Sequence, residues 1–242
     1  MRPFFPYYGS KWNIARHYPV PTGHVIEPFA GSASYATYYD APRASLIDAD
    51  PVIVGVWRYL LAARPAEILS LPELPNVGDS VDDLNITQEA RWLIGFWLNR
   101  GSAAPKKSRT AYSARTDRAQ LTWGLKAKER IAAQLPLING WSIVEGDFEA
   151  APADAAGTYF VDPPYGDKGK HYRVQFAEFA RLGRWCESAV GKVIVCEGPS
   201  ATWLPFERLG SFKTSRGRAE EFVWCNVPPT QRDLLIQPEM TK

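Results

Sequence analysis

Two hydrophobic periods alternate along the chain. Short runs rich in β-branched and aromatic residues recur at His24–Glu27, Ala44–Ile47, Trp141–Glu145, Thr158–Val161, Lys192–Cys196 and Glu221–Asn226, and each reads as a strand. Arg232–Ile236 is a candidate for one more. Between them, apolar residues fall at helical spacing. Asp50 before Pro51 pairs a capping residue with a proline at the first helical position, which predicts a helix through Ala62. The small-residue segment Gly31–Tyr39 can also be helical. Asn85 with Gln88 three positions on predicts another helix start, and Ile86, Ala90, Leu93, Ile94, Trp97 and Leu98 form an apolar stripe behind it. A further helix is expected from Arg118 to Leu135, whereas residues 64–85, rich in Pro, Leu and acid, read as loop or linker. Strands alternating with helices predict an α/β domain on a mostly parallel sheet with helices on both faces. The helical stretch 64–138 interrupts that order and is expected as an insert, with 1–63 and 139–242 forming the main domain.

At 242 residues, 45% hydrophobic and 22% charged, the chain suits such a domain and can bury a full core. It opens on Met1-Arg2-Pro3 and an aromatic segment, and no run approaches the about 18 apolar residues of a membrane span. The expectation is a soluble, intracellular, cytoplasmic protein. Cys186, Cys196 and Cys225 form no C-x-x-C pair, and His17, His24 and His171 have no metal spacing, which predicts a reduced compartment and no metal. The net charge of +2 conceals a local asymmetry. Glu67, Glu73, Asp79, Asp82, Asp83 and Glu89 crowd one stretch without a basic residue, and Arg100, Lys106, Lys107, Arg109, Arg115 and Arg118 crowd the next.

The chemistry concentrates at strand ends. Thr158–Val161 stops abruptly at Asp162-Pro163-Pro164-Tyr165. Each proline fixes its own φ and keeps the preceding residue extended, so the loop is stiff and its carbonyls stay out of helical bonding. An ionised Asp162 only accepts hydrogen bonds, and with the Pro163 carbonyl it can take both hydrogens of an NH2 group, while Tyr165 offers a face for a planar ring. Taken alone the tetrapeptide also reads as a turn. Val25–Glu27 runs through Pro28-Phe29-Ala30 into Gly31-Ser32-Ala33, a turn in which Gly31 permits close approach of a ligand or serves plain structure. The turn lacks G-x-G-x-x-G, so a nicotinamide oxidoreductase is disfavoured. Asp48 ends the second strand, where a carboxylate can accept both hydroxyls of a ribose. Asp50 is explained as an N-cap. Gly146-Asp147-Phe148 reads either as a ligand contact or as a common turn. Trp57, Trp92 and Trp97 lie on helical stripes and are assigned to the core.

Asp-Pro-Pro-Tyr after an apolar strand resembles the catalytic motif of amino methyltransferases that act on adenine in DNA. Over residues 4–165 the chain is similar to the alpha group that includes Dam-type enzymes, with motifs in the order X, I, target-recognition insert, IV. The resemblance implies a Rossmann-like methyltransferase fold, S-adenosylmethionine as cofactor, double-stranded DNA as partner, and site-specific methylation of the N6 amine of a flipped adenine, as in restriction-modification systems. It gives Tyr7 and Lys11 to the cofactor, with Lys11 pairing the methionine carboxylate. In this group a second glycine usually stands where Ser10 is. Glu27, Phe29, Ala30, Gly31 and Ser32 would cradle the methionine part, Asp48 the ribose, and Asp147 with Phe148 the adenine. Asp162, Pro163, Pro164 and Tyr165 would bind the target amine. The insert would carry DNA contacts through Arg100, Lys106, Lys107, Arg109, Arg115 and Arg118, although a charge run also reads as a solvated face. Lys213–Arg218 is a second basic candidate, and His171, Tyr172 and Arg173 could order around the flipped base. Methylation of cytosine N4, of RNA or of a protein amide uses a similar pocket, and a catalytically silent DNA-binding relative would keep the fold. Oligomeric state and target sequence are not legible.

Overall fold

The computed structural model describes residues 1–98, 101–115, 122–165, 171–214 and 217–227. Its centre is a seven-stranded sheet of β1 (Val25–Glu27), β2 (Ala44–Asp48), β3 (Trp141–Glu145), β4 (Thr158–Val161), β5 (Lys192–Glu197), β6 (Glu207–Thr214) and β7 (Gly217–Cys225), in the order β3-β2-β1-β4-β5-β7-β6. β1 pairs in parallel with β2 and β4, β2 with β3, and β4 with β5, whereas β7 runs antiparallel to both β5 and β6. β1 and β4 are buried throughout, which is why they read as unbroken apolar runs.

The five strands of the parallel part stand where the sequence places them. β6 does not: it was unforeseen, and the Arg232–Ile236 candidate lies outside the described residues. β6 is an edge strand, largely exposed and broken by Gly210, so it carries neither an apolar run nor a clean alternation.

Helices cover both faces. Along β4, Phe160 joins a core with Trp57, Leu60, Leu93, Phe96 and Ile131, while Tyr159 and Val161 join a smaller one with Leu182 and Cys186. The larger side is built by α1 (Ser34–Tyr38), α2 (Pro51–Ala62), α3 (Pro65–Ser70), α4 (Gln88–Leu98) and α5 (Leu125–Gln134), the smaller by α6 (Phe179–Ser188). α2 begins as the sequence requires, with the Asp50 side chain accepting from Val52 N–H at 2.9 Å and Pro51 in the first turn. α4 begins later than its Asn85 signal, because the Thr87 hydroxyl accepts from Ala90 N–H at 3.3 Å. Residues 65–70, expected as linker, are helical, and α5 starts at Leu125 rather than at Arg118, which is outside the described residues.

Among the described residues, the apolar side chains of 64–138 share the core of the sheet. Ile68, Leu71, Leu93, Trp97, Trp123 and Ile131 belong to the same cluster as Val25, Leu46 and Phe160 of the sheet. These helices also tie down the aromatic N-terminal segment. Phe4 and Phe5 are fully buried against Trp57 and Phe96, Trp97 Nε1 donates to the Phe4 carbonyl at 3.1 Å, and the Arg2 backbone exchanges bonds with the Gln134 amide. Trp57 and Trp97 are therefore core residues, and Trp92 is half-buried beside them.

Candidate functional site

The chain leaves β1 for β2 and β3 on one side, then returns to β4 on the other, so the sheet reverses its winding between β1 and β4. In open α/β sheets that reversal opens a crevice at the carboxyl ends of the strands. Here it is a cleft of about 700 Å³, open solvent at its mouth included, lined by Tyr7, Glu27, Phe29, Ala30, Gly31, Ser32, Asp48, Asp162 and Pro164 among the residues foreseen.

The β1 side of the cleft is backbone held by carboxylates. Asp48 accepts from Gly31 N–H at 2.9 Å and from Asp50 N–H at 2.8 Å, and burial pushes its carboxyl up to about 6 although those bonds oppose the shift. Gly31 has φ +46°, and a Cβ there would stand 2.9 Å from the Tyr7 ring, so only glycine lets the Tyr7 face and this turn meet. Trp57 Nε1 fixes the same turn through the Gly31 carbonyl at 2.8 Å. Glu27 receives Ala36 N–H at 2.7 Å in the first turn of α1, and burial raises its carboxyl to about 8. The buried Ser32 hydroxyl has no hydrogen-bond partner among the described residues. A polar, orphaned hydroxyl beside a glycine turn, an aromatic face and a strand-end carboxylate fit a ligand with both apolar and hydroxylated parts.

The β4 side carries Asp162. Its side chain keeps 19% of its surface exposed, and its Oδ1 accepts from Lys11 Nζ at 2.7 Å. The Lys11 ammonium also lies 4.5 Å from the Tyr165 ring centroid and 3.7 Å from Glu221. The resemblance directs Lys11 to a cofactor carboxylate; in the structure it is committed instead to the carboxylate of the chain's own loop. Burial raises the Asp162 carboxyl, and Lys11 opposes that shift while Glu221 adds to it. Burial disfavours the Lys11 cation, but Asp162 and Glu221 more than offset this and hold it charged. The Tyr165 hydroxyl donates to Glu221, and its ring lies under Lys11 rather than on the cleft wall.

Asp147 and Phe148 are not brought to the cleft. Asp147 caps its own turn by accepting from Glu149 N–H at 3.1 Å, and Arg181 of α6 holds its other oxygen at 3.2 Å. Phe148 is fully buried against Trp185, with Phe29 standing between it and the cleft. The turn reading of Gly-Asp is the one realised. The cleft is closed instead by residues 172–176, which pack against the N-terminal segment through Tyr7, Tyr8 and Tyr172 and against α2 through an Arg173–Asp50 ion pair at 3.2 Å. Asp50 is thus both a cap and part of the wall.

The basic stretch divides. Arg100 and Arg118 lie outside the described residues. Arg109 turns to its own loops: its guanidinium donates to the carbonyls of Leu74 at 2.9 Å and Ser113 at 3.3 Å. Lys107 pairs with Asp82 at 2.8 Å on the surface. Backbone bonds join Gly78 to Arg109, Asp79 to Arg109 and Val81 to Lys107, with a bridge between Ser80 and Ser108, so the acidic and basic runs fold against each other. Lys106 and Arg115 are exposed. No group of metal-ligating side chains, and no helix long and apolar enough to cross a membrane, occurs among the described residues. The chain matches no family model and no curated protein.

Proposed function

We propose that the protein transfers a methyl group from S-adenosylmethionine to the exocyclic N6 amine of an adenine extruded from double-stranded DNA. The observation that carries this reading is one cleft shared by two half-sites, the Gly31 turn with Asp48 and the Asp162 loop. S-adenosylmethionine, when bound, supplies an electrophilic methyl group on a positively charged sulfur. Tyr7, Phe29, Gly31, Ser32 and Asp48 are the residues that would hold it, and the orphaned Ser32 hydroxyl and the missing Cβ of Gly31 fit that role.

The remaining work falls to the β4 loop. An adenine amine is a weak nucleophile because its lone pair is delocalised into the ring. Hydrogen bonds from its NH2 group to Asp162 and to the Pro163 carbonyl favour a pyramidal nitrogen and stabilise the positive charge that develops there as the nitrogen–carbon bond forms and the sulfur–carbon bond breaks; the methylated nitrogen then returns to neutrality by giving up one proton to solvent. Holding the nitrogen against the cleft replaces an encounter by a fixed approach. A base inside a duplex cannot reach a crevice of this kind, so it has to leave the stack. The exposed Lys106 and Arg115 support phosphate contacts, and adenine as the base rests on the resemblance of Asp162-Pro163-Pro164-Tyr165 to the adenine-specific motif.

The test is direct. Purified protein is incubated with unmethylated DNA and labelled S-adenosylmethionine, and the DNA is digested to nucleosides. N6-methyladenine is the expected product. Label in N4-methylcytosine would move the reading to cytosine, and label only in RNA or protein would overturn DNA as the substrate.

A further inference from the structure

One buried carboxylate beside the cleft has no part in the scheme above. Glu221 lies on β7 with 6% of its surface exposed. Its Oε1 accepts from the Tyr18 hydroxyl at 2.9 Å and from the Tyr165 hydroxyl, and Lys11 Nζ is 3.7 Å away. Lys11 therefore stands between two carboxylates, closer to Asp162 than to Glu221. An ion of this kind left without a partner in an enclosed site is strongly disfavoured.

We propose that Glu221 is a positioning residue of the amine site, holding the Tyr165 ring through its hydroxyl and receiving the Lys11 ammonium when the target NH2 takes Asp162. This rests on the amine-transfer reading above. An amine arriving at Asp162 competes with Lys11 for the same carboxylate. A short swing of the flexible Lys11 side chain toward β7 frees Asp162 without leaving the ammonium unpaired. Two carboxylates and one ammonium leave the site one formal negative charge, placed beside a nitrogen that becomes positive as its bond to carbon forms. Tyr18, Tyr165, Lys11 and Asp162, with the Cys196 thiol of β5, are the titratable groups that face Glu221.

The experiment compares wild type, Glu221→Gln and Glu221→Ala for methyl transfer to unmethylated DNA, cofactor Kd by calorimetry, and Tm. The glutamine keeps an oxygen that accepts from Tyr18 and Tyr165 but removes the charge. We expect Glu221→Gln to lower kcat roughly tenfold or more, with cofactor Kd within about twofold and Tm little changed. Glu221→Ala should lower kcat further, and its effect should shrink in a Tyr165→Phe background, where the phenol bond is already absent. Wild-type kcat in Glu221→Gln, or loss of cofactor affinity in step with kcat, overturns the proposal. Absence of transfer by the wild type in the same assay overturns the underlying function instead, and this inference with it.

Discussion

The cleft and the acidic-basic ladder of residues 76–83 and 105–110 are both built from charged side chains, and they use them in opposite ways. In the cleft, Lys11, Asp162 and Glu221 arrive from the N-terminal segment, the β4 loop and β7, and they meet largely buried. In the ladder, Lys107 meets Asp82 in the open, with side chains 76% and 49% exposed. Sequence density of charge points to the ladder; convergence and burial point to the cleft. Enclosed charges interact strongly and respond to a ligand, whereas exposed ones are screened and contribute little.

The sharpest way to break this comparison is to remove the acceptor from the enclosed side. Asp162→Ala should reduce methyl transfer by about a hundredfold or more while leaving cofactor Kd within a few-fold, read by single-turnover assay and calorimetry. Retained turnover would remove Asp162 from the chemistry. Next is Arg109, which sits in the basic run but behaves as a brace. Arg109→Ala should cost about 1–3 kcal/mol in denaturant unfolding, because the Leu74 and Ser113 carbonyls lose their donor, and should leave the salt dependence of DNA binding unchanged. Lys106→Ala should do the reverse, lowering the slope of log K against log salt by about 0.9 at constant stability.

A smaller effect comes from Glu27. Folded, its carboxyl holds a proton up to about pH 8, against an ordinary value of 4.5. Between those values the folded state binds more protons than the unfolded one, so this group's stabilisation is complete below pH 4.5 and is lost as pH rises toward 8. Asp48, raised to about 6, acts in the same direction lower down. The Tm of Glu27→Gln should therefore fall less steeply than that of wild type between pH 6 and 8; parallel curves would disprove the raised carboxyl. Smallest of all, Lys107→Ala should change stability by less than about 0.5 kcal/mol, and less still in high salt.

The sequence made the buried half of the fold legible because β1, β4 and β5, enclosed on both faces, leave continuous apolar runs. It hid β6, whose exposed edge leaves no pattern; α6, by contrast, is legible at helical spacing in Phe179, Leu182 and Cys186 although no element is assigned there from the sequence. At the site, Asp48 and Asp162 are readable because each stands at the end of a strand, and Gly31 because it lies in the small-residue turn that follows β1. Lys11 was readable as a functional residue but not in its pairing, which depends on the N-terminal segment crossing to β4. Glu221 was overlooked, yet it left a trace. It is in phase with Val223 and Cys225, which pack toward the larger core, while its neighbour Glu220 turns out to Arg208. A carboxylate on the apolar phase of a strand is a group that needs buried partners.

The helices of 64–138 share a single hydrophobic cluster with the sheet and clasp the segment that carries Tyr7 and Lys11. Among the described residues, the sheet and the 64–138 stretch are consequently one packed body. A different sequence grafted over this stretch would arrive without the Trp97 and Gln134 contacts to Phe4 and Arg2, which hold the segment that bears Tyr7 and Lys11. If the proposed function holds, new specificity would come from altering its exposed loops one side chain at a time, while the helices beneath them stay as they are.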